Sequence, residues 1–71
     1  MPSENLKALI ISDDFIRNGI GVEFYIDGKL IVEIFRDDNE HTKMLSVFEQ
    51  PLSLELIEEC VTLFKELVPI Y

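Results

Sequence analysis

The chain has 71 residues, which is room for one small domain with a single core. Hydrophobic residues make up 48% of it, so the composition is that of a folded globular protein and excludes a disordered acidic tail or a collagen-like repeat. Fourteen acidic residues against six lysines and arginines give a net charge of -8. Such a field repels phosphate, so we expect no direct binding to nucleic acid and favour a protein partner with a basic surface.

The sequence favours a cytoplasmic protein. Its single cysteine, Cys60, has no second cysteine with which to form an intramolecular disulfide, as is usual in a reducing compartment. The opening residues 1–4 carry no cationic segment, so we expect no secretory signal. No hydrophobic run approaches the roughly 18 residues of a membrane-spanning helix, so we expect no membrane partner.

The first predicted element covers residues 6–11. It fits either a strand or a short helix, because four consecutive hydrophobic residues do not define a period. We favour a strand. Turn-forming residues between 12 and 19 then predict a reversal of the chain. Between 20 and 26, hydrophobic residues alternate with Gly, Glu and Tyr, which is typical of a strand with one buried face. After a break at Asp27-Gly28, a second run from 30 to 35 completes a predicted β-hairpin.

The register of this hairpin depends on the length of its turn. A two-residue turn at Asp27-Gly28 would place Glu33 opposite Val22 on the core face. We therefore predict a three-residue loop over 26–28, in which Gly28 adopts a left-handed conformation. The pairs that this register predicts are Phe24 with Leu30, Val22 with Val32, Ile20 with Ile34 and, on the other face, Tyr25 beside Lys29.

A polar loop over 36–41 leads to a further predicted strand over 42–48. After Pro51, the spacing of hydrophobic residues predicts a helix from Leu54 to about Leu67, capped by Ser53 and ended by Pro69. We expect Ile57, Val61 and Phe64 to form its main buried stripe and Cys60 to lie on a second stripe beside it. The predicted fold class is α+β: over residues 1–71, an antiparallel meander of three or four strands with one C-terminal helix packed on one face.

The sequence offers little for catalysis. His41 and Cys60 are the only residues of their kinds, so neither a nucleophile-base pair nor a multi-ligand zinc site can be assembled from them. Cys60 fits a buried hydrophobic position better than a reactive thiol. The three glycines lie at turn and strand positions without the ending of a phosphate-binding loop. We therefore expect neither an enzyme nor a bound cofactor.

One alternative is a small metal-dependent or ligand-binding protein. The loop residues Asp37, Asp38, Glu40 and His41 carry oxygen and nitrogen donors, but they lack the spacing and the central glycine of a calcium loop. A solvated hairpin loop is the preferred interpretation of these residues. We read Asp13-Asp14 in the same way, as part of a turn and not as a catalytic carboxylate pair.

The informative feature is a surplus of hydrophobic residues. If Val22, Phe24, Val32, Ile34, Leu45 and Val47 face the helix, five large residues remain for the opposite side of the sheet: Tyr25, Ile31, Phe35, Met44 and Phe48. Either the N-terminal segment covers them or they form a partner-binding surface. We therefore predict a non-catalytic protein-protein interaction module that acts as a homodimer or as an acidic binder or inhibitor of another protein. The predicted layout is similar in shape to small bacterial immunity and inhibitor proteins, although no motif assigns it to a family.

Overall fold

A computed structural model describes residues 5–13, 15–16 and 18–68, and it confirms the predicted α+β class. Four antiparallel strands lie side by side in chain order, and one helix packs against the sheet. The elements are β1 (Leu6–Asp13), β2 (Gly19–Ile26), β3 (Lys29–Asp37), β4 (Thr42–Val47) and α1 (Leu54–Leu67).

The N-terminal segment is a strand, as we favoured, and it extends the sheet without covering it. Antiparallel pairing sets Ile10 of β1 opposite Val22 of β2, and it continues along the strand as far as Asp13. The alternative in which this segment folds over the second side of the sheet is therefore wrong for residues 6–13. Residues 1–4 lie outside the described part of the chain.

The predicted reversal between β1 and β2 is present. The carboxylate Oδ1 of Asp13 accepts hydrogen bonds from the backbone N–H groups of Phe15 and Ile16 at 3.1 and 3.0 Å, which is the geometry by which Asp stabilises a turn. Both of these hydrophobic side chains are almost fully exposed at the tip of the loop. Asp14 and Arg17, the other residues of the predicted turn, are not among the described residues.

The predicted three-residue loop between β2 and β3 is wrong. Ile26 pairs directly with Lys29, so the turn has only two central residues, Asp27 and Gly28. Their φ angles of 52° and 79° are both positive, as a type I′ turn requires. The left-handed conformation predicted for Gly28 is thus confirmed, although it belongs to a different turn.

A β-bulge keeps this two-residue turn compatible with a hydrophobic core. Tyr25 pairs with Leu30 and Phe24 pairs with Val32, which leaves Ile31 as an extra residue in β3. The extra residue shifts the pairing beyond it by one position, so Val22 lies opposite Ile34 and not opposite Glu33. The predicted pairs across these two strands are therefore replaced by pairs one to two residues further along β3.

Helix α1 has the predicted bounds and the predicted cap. Ser53 Oγ accepts a hydrogen bond from the backbone N–H of Leu56 at 3.1 Å, which satisfies one of the free amides of the first turn. Val68 closes the other end by donating its N–H to the carbonyl of Phe64 at 2.8 Å. Pro69, predicted to end the helix, lies outside the described residues. Within the described part of the chain, α1 is too short and too polar to cross a membrane.

The core lies between α1 and the two central strands, β2 and β3. The most buried residues of α1 are Cys60 and Phe64, and the C-cap residue Val68 continues this row four residues later. Ile57 and Val61, expected to be the main anchors beside Phe64, are only partly buried and pack at the side of this row. The sheet residues of the core are Val22, Phe24, Ile31, Val32 and Ile34.

We predict that Phe64→Ala lowers the free energy of unfolding by about 3–5 kcal/mol, because it leaves a cavity at the centre of the only interface between helix and sheet in the described chain. Urea unfolding monitored by circular dichroism measures this loss. Leu54→Ala, at an exposed position of the same helix, is the matched control and should cost less than about 1 kcal/mol. Equal losses in the two variants would show that the core is placed wrongly.

We predict that Gly28→Val destabilises the protein by about 1–2 kcal/mol, because a β-branched residue is strained at a positive φ. A Cβ at this position would meet no atom within 4 Å, so the backbone alone sets the cost. Gly28→Asn is the control, since asparagine tolerates the left-handed region, and it should recover most of the stability in a thermal or urea melt. If the two variants were equally stable, the turn assignment would be wrong.

Candidate functional site

The sheet surface opposite α1, here called the second face, contains two adjacent rows of side chains that cross all four strands. The first is hydrophobic and the second is acidic at its centre. Strand pairing places Ile11, Gly21, Phe35 and Met44 in the hydrophobic row, and Leu9, Glu23, Glu33 and Ser46 in the acidic row. Neighbouring rows lie two residues apart along each strand, or about 7 Å.

Two glycines of β2, Gly21 in the hydrophobic row and Gly19 in the next row, form a glycine floor beneath the ring of Phe35. A Cβ on Gly21 would lie 2.7 Å from Cδ1 of Phe35, and a Cβ on Gly19 would lie 2.9 Å from Cε2 of the same ring. The ring therefore occupies the space that side chains on β2 would otherwise fill. This close contact helps to bury Phe35, which is only 3% exposed although no helix of the described chain covers it.

The acidic row places two carboxylates directly opposite each other. Glu23 of β2 pairs with Glu33 of β3, an arrangement that costs energy between like charges. Glu23 Oε1 accepts a hydrogen bond from the hydroxyl of Tyr25 at 2.8 Å, and this bond, together with burial and the charge of Glu23, raises the pKa of Tyr25. The tyrosine hydroxyl thus helps to hold one carboxylate in place.

The five residues predicted for the partner-binding surface have different positions. Ile31 was expected on the second face, which is wrong: as the bulge residue it is 4% exposed and belongs to the core beneath α1. Phe35 lies on the second face but is buried there. Tyr25 is half-buried beside the acidic row. Met44, opposite Phe35, is 61% exposed, and Phe48 is half-exposed directly after β4, with its N–H donating to the carbonyl of Ile31 at 2.8 Å.

Sequence reasoning missed the contribution of β1 to this surface. Leu9 is half-exposed at the end of the acidic row, and the partly buried Ile11 begins the hydrophobic row. Because β1 contains four consecutive hydrophobic residues, the sequence shows no alternation that would assign each of them to one face of the sheet. A signal for the buried state of Phe35 was present, because glycine within a strand marks a close approach of another group.

Hydrogen bonds and an ion pair among its own residues stabilise the acidic loop between β3 and β4. Asp37 Oδ1 accepts hydrogen bonds from the backbone N–H groups of Asn39 and Glu40, both at 3.0 Å. Asp38 forms an ion pair with Arg36 at 2.9 Å. The loop is also tied to the neighbouring hairpin, since the N–H of Asp38 donates to the carbonyl of Asn18 at 3.1 Å.

The side chains of this loop do not form a metal-binding cluster in the part of the chain that the structure describes. Among the described residues, no group of three or more His, Cys, Asp or Glu side chains is placed to hold a metal ion. A depression of about 380 Å³ lies at this end of the sheet, and it mixes cationic and anionic groups. Its lining residues are Arg36, Asp37, Asp38, His41, Thr42 and Lys43.

Cys60 is buried, as its position on the helix predicted. Burial and the negative charge of Glu59 raise the pKa of its thiol to about 11. Since the thiolate is the reactive form, this cysteine has the properties of a hydrophobic core residue and not of a nucleophile.

No family model, curated protein or solved structure matches this chain.

We predict that lysine at position 35 damages the fold, whereas lysine at position 44 does not. Phe35→Lys removes the ring from the glycine floor and should cost about 3–5 kcal/mol, comparable to the loss of a buried phenylalanine. Met44→Lys changes an exposed neighbour in the same row and should stay within about 0.5 kcal/mol of the wild type. Thermal and urea melts measure both; equal stability of the two variants would contradict the packing of Phe35.

Proposed function

We propose that the protein is a non-catalytic protein-protein interaction module that acts as an acidic binder of another protein. The observation that carries this proposal is the hydrophobic row next to the acidic row on the second face. Exposed or half-exposed side chains at both edges, Leu9 on β1 and Met44 on β4, give a partner hydrophobic area to bury. Glu23 and Glu33 between them supply the charge that selects the partner.

The charge of this face favours a basic partner over a second copy of the chain. Two copies stacked face to face would bring both Glu23–Glu33 pairs into one interface, and like charges in an interface disfavour binding. A partner that places lysine or arginine over the acidic row and a hydrophobic side chain over Met44 meets both rows at once. The net charge of -8 also speeds the approach of such a partner.

A capture experiment tests this function. Tagged wild-type protein should retain a basic protein from a lysate of the source cell, and Met44→Lys should lose that protein because it places a cation at the edge of the binding face. Leu54→Lys introduces the same charge at an exposed hydrophobic position on the helix side of the molecule and should retain it. The captured partner, once purified, should bind less tightly as the salt concentration rises.

Two outcomes would contradict the proposal. One is a partner that Met44→Lys and Leu54→Lys retain equally, since binding would then use another surface. The other is a rise in melting temperature on addition of calcium, magnesium, manganese or zinc, which would favour the metal-dependent alternative at residues 37–41. The interaction module should show no such rise.

A further inference from the structure

The outer edge of β1 has no neighbouring strand in the part of the chain that the structure describes. The sheet begins with β1, whose other edge pairs with β2. An edge strand presents backbone N–H and C=O groups that can pair with a further strand. The central side chains of β1 are exposed on both sides of the sheet, with Leu9 at 52% on the second face and Ile10 at 48% on the helix side.

We propose that two copies of the chain pair along β1 in antiparallel orientation and join their sheets into one. The pairing uses the backbone edge of β1, which borders the proposed binding face and shares Leu9 and Ile11 with it. The inference does not depend on the proposed function. The pairing leaves both second faces on the same side of the joined sheet, so the dimer would present two binding faces next to each other.

Symmetry restricts the register of such a pair. A two-fold axis perpendicular to the sheet relates the copies, so if one residue meets a second, the second also meets the first. Residues that pair in an antiparallel ladder have side chains on the same face, so two paired β1 residues have numbers that are both even or both odd. The axis therefore lies at a residue that meets its own copy, and not between two residues. The registers that keep most of β1 paired are centred on Ala8, Leu9, Ile10 or Ile11. The one centred on Ala8 sets Lys7 opposite the partner's Leu9.

The charges of β1 select the register centred on Ile10. It places Lys7 opposite the partner's Asp13, twice by symmetry, and Leu9 opposite the partner's Ile11. A register centred on Leu9 would instead set Lys7 opposite the partner's Ile11, and one centred on Ile11 would set Asp13 opposite the partner's Leu9. A lysine on an edge strand commonly opposes pairing, and the register centred on Ile10 gives this lysine an acidic neighbour.

Two structural features prepare β1 for this pairing. The hydrogen bonds from Phe15 and Ile16 fix the Asp13 carboxylate at the end of the strand. On the helix side, α1 packs on β2 and β3, so Ile10 remains half-exposed. In the proposed register Ile10 meets the partner's Ile10 on the axis, and each side chain covers the other.

The opposite edge of the sheet is a weaker candidate. The only charged residue of β4 is Lys43, so two copies paired along β4 would have no acidic side chain to offset the two lysines. Pairing of β1 with the partner's β4 is not symmetric and would continue into an open chain of molecules. Only pairing along β1 gives a closed dimer with matched charges.

A cysteine scan of the full chain tests both the pairing and its register. Ala8→Cys, Leu9→Cys, Ile10→Cys and Ile11→Cys are each oxidised and examined on a non-reducing gel. Only Ile10→Cys should give a disulfide-linked dimer, because only this position meets itself at the Cα separation that a disulfide needs, about 4.4–6.8 Å. The native Cys60 is buried, so the wild type should remain unlinked.

Sedimentation equilibrium of reduced protein supplies the second measurement. Lys7→Glu should weaken the dimer about tenfold or more, since it replaces two attractive pairs with two repulsive ones. Lys43→Glu makes the same change of charge on the other edge strand and should leave the dimer unchanged. Circular dichroism melts check that both variants fold.

The inference is overturned by a wild type that stays monomeric up to ~1 mM, by cross-linking at another β1 position in preference to Ile10, or by equal effects of Lys7→Glu and Lys43→Glu. Met44→Lys separates this inference from the proposed function. It should remain dimeric while losing the basic partner, so the failure of one does not imply the failure of the other.

Discussion

The hydrophobic residues of β3 stay in phase with those of β2 across a tight turn because one extra residue, Ile31, is inserted into β3. Without it, the turn at Asp27-Gly28 would direct Glu33 towards α1, and an unpaired carboxylate in the core is costly. With it, Ile31 and Val32 both contribute to the core. The same shift sends Glu33 and its neighbour Phe35 to the opposite surface, so one bulge determines the core and the second face together.

Periodicity was sufficient to predict the hairpin strands and the helix, and the residue type at Ser53 indicated the cap, since each of these depends on residues close in sequence. It left residues 6–11 open between strand and helix, because their hydrophobic run has no period, and the pairing with β2 decides for a strand. The bulge was not predicted, because an inserted residue has no local signature in a hydrophobic run. It could have been inferred from a conflict: Asp27-Gly28 strongly favours a two-residue turn, and such a turn fits the hydrophobic pattern only with one extra residue in a strand. The glycines of β2 indicate a close approach of another group, but only the register identifies that group as the ring of Phe35.

In the two proposed assemblies, the distribution of charge gives the second face and the edge of β1 different uses. Carboxylates at the centre of the second face oppose contact between identical faces and favour a cationic partner. The edge strand β1 carries one lysine and one aspartate at nearly opposite ends, so it complements a reversed copy of itself. A strongly acidic protein can thus self-associate along the one edge where its own charges balance and still keep its acidic surface for another molecule.

The contact between Phe35 and Gly21 also limits how this sequence can change over evolutionary time. A side chain added at position 21 would collide with the ring and with the carbonyl of Ile34, while a smaller residue at position 35 would leave the glycine floor uncovered. Replacing Phe35 would not make room at position 21, because the carbonyl of Ile34 would still lie 2.7 Å from the new Cβ. Among diverged copies of this protein, position 21 is therefore expected to stay glycine, and position 35 to keep a side chain large enough to cover it.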